Sequence, residues 1–317
     1  MRHWNFIRSE LRTHTPRKPE AERLSRRIRL LIVVCALAFP VAFWSLLNPA
    51  NARAAWAELA RIMPFAADGV NSGIDASQLS DASLNALQPQ QQAELLLRAA
   101  IEDTAPAGTE VAARAPQWRG RLTPTPRLRV LVSAALNSPD LNVRSAGIRV
   151  ELSLNNLADD PASANGLIAR IHSDPAARPW GLWMLGALGN QGVEPERILT
   201  VLRAYTRDSS EQTRYWAVEG LSYLGNQQSI PPLLNAMRGD TSRSVRERAA
   251  GALGRSGMLS KQQRMSAVPA LIDCAGDPSL AAGTQTLAYR ALHDITGADI
   301  KDTPSEWRNY WAENATR

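Results

Sequence analysis

An aspartate recurs along the second half of this chain at a nearly fixed interval, and that interval constrains the fold more than any other feature. Asp140, Asp174, Asp208, Asp240 and Asp277 stand 34, 34, 32 and 37 residues apart. Laid over one another without a gap, the stretches from Asp208 and Asp240 read DSSEQTRYWAVEGLSYLG and DTSRSVRERAAGALGRSG. Their Asp, Arg, Ala, Leu and closing Gly coincide. Weaker copies begin at Asp140, Asp174 and Asp277. Each copy continues into a second apolar stretch, near 163–171, 195–206, 229–238, 262–275 and 305–314. A period of this length, built from two helical stretches, is the mark of a solenoid. One such pair cannot bury its apolar face alone, whereas stacked neighbours can.

The residue types within a copy fit that geometry. Each Asp is expected to open a helix, its carboxylate accepting backbone N–H groups left unpaired in the first turn. Counted from the repeat Arg, positions three and seven onward share one helical stripe. A small residue fills the first (Gly181, Ala217, Ala249, Ala288), so helices can approach closely. A leucine fills the second. The closing Gly suits a left-handed cap.

Those residues resemble the HEAT-repeat superfamily, and in particular its shorter bacterial relatives, the HEAT-like repeats of the phycobilisome-lyase type. The features carrying the resemblance are Asp240, Val245-Arg246, Ala249-Ala250 and Ala252-Leu253-Gly254. Weaker copies keep Val143-Arg144 with Gly147, Arg178 with Gly181 and Leu188-Gly189, and Arg214 with Ala217 and Leu224-Gly225. The last has Gln285 where Arg is usual. The resemblance covers about residues 127–317, with a degenerate copy from about 90. It implies an all-α fold, an α-solenoid of about five to six helical hairpins. Ankyrin and tetratricopeptide repeats share the period, but their signatures are absent.

The N-terminal part is of another kind. Residues 30–47, LLIVVCALAFPVAFWSLL, carry no charge. They approach the roughly 20 apolar residues needed to cross a bilayer as a helix. Nine basic side chains precede the run within residues 1–29, against three acidic ones. By the positive-inside rule, 1–29 is a cytoplasmic tail, 30–47 a transmembrane helix, and all that follows extracytoplasmic, the periplasm in a bacterium. Ala50-Asn51-Ala52 also has the small-residue spacing of a signal-peptidase site, so a cleaved export signal stays open as an alternative. Residues 48–77 read as a linker and 78–317 as the repeat solenoid. The Pro/Ala/Gly-rich stretch 104–126 shows no clear apolar period and reads as a surface-loop insertion.

Charge narrows the partner class. The chain is +6 overall, and residues 1–29 alone account for all of it, so the remainder is neutral. No long-range field for nucleic acid is expected on the repeats. The two cysteines, Cys35 and Cys274, are not expected to pair, and the four histidines have no metal-ligand spacing. No catalytic or nucleotide-binding motif is found, so neither enzymatic activity nor a cofactor is expected. A bilin-lyase role, which the resemblance brings with it, sits poorly with an exported domain. The Asp and Arg series reads as caps and ties between repeats, because a site is used once and a ladder recurs.

Four aromatic residues are the candidate partner-binding site: Trp180, Trp183, Tyr215 and Trp216. On a helical wheel they point away from the apolar stripe, on neighbouring copies. Aromatic anchors dominate interface energies, which makes them a candidate contact for a protein or peptide. Cover by another part of the chain is the competing reading. Trp307 and Trp311, four residues apart on the last helix, are expected to close the open end of the stack.

Overall fold

The computed structural model describes residues 76–314, and among them every regular element is helical. A 3₁₀ turn, Ala76–Leu79, leads into the short helix α1 (Asp81–Asn85). Paired helices follow: α2 (Pro89–Ile101) with α3 (Ala107–Trp118), α4 (Pro126–Leu136) with α5 (Leu141–Leu154), α6 (Pro161–Ser173) with α7 (Arg178–Asn190), and α8 (Pro195–Tyr205) with α9 (Glu211–Leu224). Next come α10 (Ile230–Gly239) with α11 (Arg243–Gly254), the short α12 (Lys261–Met265), and α13 (Val268–Gly276) with α14 (Ala282–Thr296). The last element is α15 (Pro304–Asn314). The arrangement is an α-solenoid of helical hairpins.

The pairing shifts the sequence period by one helix. Each Asp-headed helix packs more closely on the helix before it than on the apolar stretch after it. Only residues 240–242 separate α10 from α11, so the Asp turn folds them directly back on each other. The expected single helix over 262–275 is also broken. Ser260 and Gln263 form a capping box at the start of α12, and α13 restarts with Pro269 in its first turn. Proline suits that position because its missing N–H would be unpaired there in any case.

The stripe positions are buried as the pattern requires. Leu185, Leu221, Leu253 and Leu292 have no exposure, and Ala217, Ala249 and Ala288 lie beside them at the same depth. The Asp-headed helices α7, α9, α11 and α14 stack in sequence order, and the α7–α9 pairing is the most extensive of all. Glycines explain it. A Cβ on Gly186 would overlap the Gly220 carbonyl, and one on Gly220 would lie 2.5 Å from the Leu182 oxygen. Backbone therefore meets backbone along this row. The helices of the other row, α8 and α10 among them, make little direct contact.

Residues 104–126 are not a surface loop. Helix α3 occupies 107–118, with Ala107, Val111, Ala115 and Trp118 buried. Those positions fall at helical spacing, but two of them are alanines and Pro106, Gly108 and Pro116 interrupt the pattern, so the stripe was faint in sequence. Trp118 has no exposure and donates its indole N–H to Gln92 Oε1 at 2.9 Å. Gln92 in turn donates to the carbonyls of Leu84 and Leu87.

The basic tail 1–29, the apolar run 30–47 and nearly all of the linker lie outside the described residues. Among the described residues, no helix is long and apolar enough to cross a membrane.

Candidate functional site

The repeat aspartates all do one thing first. Asp140, Asp174, Asp208, Asp240 and Asp277 each accept the backbone N–H two residues on, at 2.7–2.9 Å. Asp140 thereby caps α5 itself and Asp174 caps a 3₁₀ turn ahead of α7. In α9 and α11 the cap is instead a serine, Ser210 or Ser242, and the aspartate sits two residues before it. The position frees the outer carboxylate oxygens for a neighbour. Arg214 grips Asp240 with two hydrogen bonds, of 2.8 and 3.0 Å, and also donates to the carbonyl of its own Asp208. Arg178 reaches Asp208 at 3.4 Å. Asp277 is taken by Arg238 of α10, at 2.7 Å. Its backbone carbonyl receives Gln285, the residue that replaces the usual Arg. From Asp208 onward the series is thus a ladder, with Asp208, Asp240 and Asp277 each held by an arginine of the preceding unit.

The four candidate aromatics each meet a ring or a guanidinium of the chain itself. All four are half-buried and packed against the core. Trp180 lies beneath the guanidinium of Arg170, 5.5 Å from its centroid. Trp183 meets Tyr223 of α9 edge-on at 5.2 Å. Tyr215 and Trp216 form their own edge-on pair at 5.9 Å. Trp307, by contrast, is fully buried and Trp311 packs beside the core, so the end of the stack is closed as expected.

Beside Trp183 and Tyr223 lies a basic cluster that sequence reading missed. Arg144, on α5, is buried, and its guanidinium donates to the carbonyls of Ser138, Arg255 and Gly257. The last two belong to the α11–α12 connection, more than a hundred residues along the chain. Arg248 bonds Glu219, Ser222 and Ser256, and Arg264 bonds the carbonyls of Gly254 and Leu259. Burial first, and the nearby charge of Arg144 second, lower the Arg264 guanidinium to about 10. Burial, reinforced by Glu219, pushes the Tyr223 phenol up to about 12. Arg144, Arg248 and Arg264 each bond two or more oxygens, so the cluster acts as a fastening between hairpins that are not neighbours. No single-sequence signal marked it, because Arg144 looks like any other rung of the ladder.

Other reactive groups have ordinary surroundings. Cys274 is buried in α13, and burial pushes its thiol up. His172 is exposed on α6. Among the described residues no three His, Cys, Asp or Glu side chains are placed to hold a metal ion.

Comparison with known proteins agrees with this geometry. The family model for HEAT repeats matches twice, over residues 165–254 and 198–292. No curated protein matches the chain. Among solved structures, the crystal structure of an engineered protein from the Northeast Structural Genomics Consortium is similar to it. That likeness is 16% in sequence identity, with a TM-score of 0.31, over 65% of this chain and 96% of that one. Residues 165–292 of this chain are thus the part that matches the family model for HEAT repeats.

Proposed function

We propose that this chain is a non-enzymatic scaffold whose HEAT repeats bind a protein or peptide partner. The observation that carries the reading is the run of HEAT repeats over 165–292, a repeat type that generally mediates protein–protein interaction. Stacked repeats offer a long surface at little cost in chain ordering, because each contacts chiefly its neighbours. The half-buried aromatics on α7 and α9 supply anchors of the kind that dominate interfaces. The apolar run 30–47 anchors the scaffold in the membrane, and the charge asymmetry around it puts the repeats on the extracytoplasmic side.

Two measurements test this. Affinity purification of the full chain from mild detergent, followed by mass spectrometry, is expected to recover a defined partner. A Trp180→Ala/Trp216→Ala variant is expected to lose that partner beyond what its drop in melting of a few degrees accounts for, since both rings are half-buried against the core. Recovery of the chain only as a fixed component of one larger assembly would favour a structural role in an envelope complex instead. For topology, a reporter active only outside the cytoplasm should work when fused after Arg317 and fail when fused before Leu30. The opposite pattern overturns the localisation.

A further inference from the structure

The close row of helices contrasts with the other row. Gly186 and Gly220 let α7 and α9 meet at the backbone, whereas α8 and α10 make little direct contact and leave an opening between them. The opening is a cleft of about 570 Å³. That lies within the range of about 300–1,000 Å³ typical of specific binding pockets. Its apolar surface comes from Ala204, Pro231, Pro232 and Ala236. Pro231 and Pro232 open α10 without backbone N–H groups, so this wall presents carbon and not donors. Arg203 and Arg207 stand on the other wall, both exposed.

Charge decides what fits. Arg178, Arg214 and Arg238, along the same edge of the stack, each hold an aspartate. Among the described residues, Arg203 and Arg207 face no carboxylate within ion-pairing distance. The one acidic side chain lining the cleft, Asp240, is already gripped by Arg214. The dipole of α8 favours a cation in its last turn, which accounts for Arg203. It does not account for Arg207 beyond the helix end, nor for two neighbouring cations left without a counter-charge on a neutral body.

We infer that the cleft between α8 and α10 takes an extended acidic segment of a protein partner. Its carboxylates pair with Arg203 and Arg207, and its small apolar side chains rest on Pro231, Pro232 and Ala236. Alternate residues of an extended chain point to opposite sides, which lets one segment meet both walls. The assignment rests on the scaffold reading and adds a second surface to the aromatics of α7 and α9.

Anisotropy of a short labelled peptide alternating glutamate with alanine, added to the detergent-solubilised full chain, tests it. The peptide is expected to bind, and to weaken as salt is raised. Its lysine–alanine counterpart is expected not to bind. An Arg203→Glu/Arg207→Glu variant should lose about tenfold or more in affinity, the loss expected for two exposed pairs. Arg203→Lys/Arg207→Lys should retain most of it and melt like the native chain, whereas the charge-reversed variant should melt slightly lower, because a glutamate in the last turn of α8 opposes its dipole. Absence of glutamate-peptide binding, or equal binding by the charge-reversed variant, overturns the assignment. So does a single-stranded RNA of matched length that displaces the peptide through the same two arginines. If a co-purifying partner stays bound to the charge-reversed variant, the cleft falls and the scaffold reading survives. A native chain without any partner would sink the scaffold reading itself.

Discussion

The hairpins at 81–154 and the repeats at 178–297 have the same architecture and are fastened in different ways. In the later repeats, each turn is tied to the next by one arginine and one aspartate, and a leucine at a fixed position fills each layer. In the earlier hairpins the fastening is made once, from parts that do not recur. Trp118, Gln92 and the carbonyls of Leu84 and Leu87 form one buried chain of hydrogen bonds. Arg114 on α3 gathers Asp81, Asn85 and Glu110. The difference teaches that a solenoid needs satisfied polar groups and filled layers, but not the same residues doing both jobs in every unit.

Trp118 offers the hardest test of that contrast. Replacing it with Ala removes a fully buried side chain and leaves Gln92 Oε1 without its indole donor, so the expected cost is about 3–5 kcal/mol. Leu253→Ala, in the repeated layer, should cost about 2–5 kcal/mol through the cavity alone. Urea denaturation of the two variants compares them directly. A Trp118 effect below that of an exposed substitution would mean the early hairpins are not held by this network. A Leu253 effect below half a kilocalorie would mean that the layer is mis-registered. The ladder is the smaller lever. Arg214→Ala leaves the nearly buried Asp240 carboxylate without its bidentate partner, for about 1–3 kcal/mol. Hydrogen exchange should quicken at the start of α11 while the amides of α2 and α3 keep native rates. Equal quickening in both regions would show that the two fastenings are one cooperative unit.

Legibility followed recurrence. The Asp period and the leucine stripe exposed the solenoid, because a signal repeated five times survives imperfect copies. Helix α3 was hidden because its stripe is built of alanines and broken by prolines. The hairpin boundary was misplaced because periodicity fixes the length of a unit but not where it starts. The aromatic residues were placed correctly off the leucine stripe. Their partners, Arg170 and Tyr223, come from other helices, so no wheel drawn on one helix could find them. The α8–α10 cleft and the Arg144 fastening join residues of different helices, so no reading of one helix at a time could find them.

The smallest expected effect lies at the C-terminal end, where a third fastening is pH-sensitive. His293 of α14 bridges two oxygens, the Ala298 carbonyl through Nδ1 and the Asp302 carboxylate through Nε2, each at 2.7 Å. Its ring also stands edge-on to the buried Trp307 of α15, 5.0 Å away. Burial works against charge on the ring, but the Ala298 carbonyl, Asp302 and the nearby Asp299 outweigh it and raise the pKa above the ordinary 6.5. With both nitrogens protonated, the imidazolium donates at each end. Deprotonation removes one donor and turns it toward an oxygen. A group whose pKa is raised on folding stabilises fully below its unfolded value, near 6.5, and that contribution is lost as pH rises through the folded value. Docking of α15 should therefore loosen from about pH 6.5 upward. The readout is hydrogen exchange of the α15 amides, corrected for intrinsic rates, with α9 as an internal reference. An Asp302→Asn variant should move the loosening to lower pH, since it removes the charge that helps hold the proton. Protection of α15 that is flat across this range in the native chain, or unmoved in the variant, would show that Trp307 alone closes the stack.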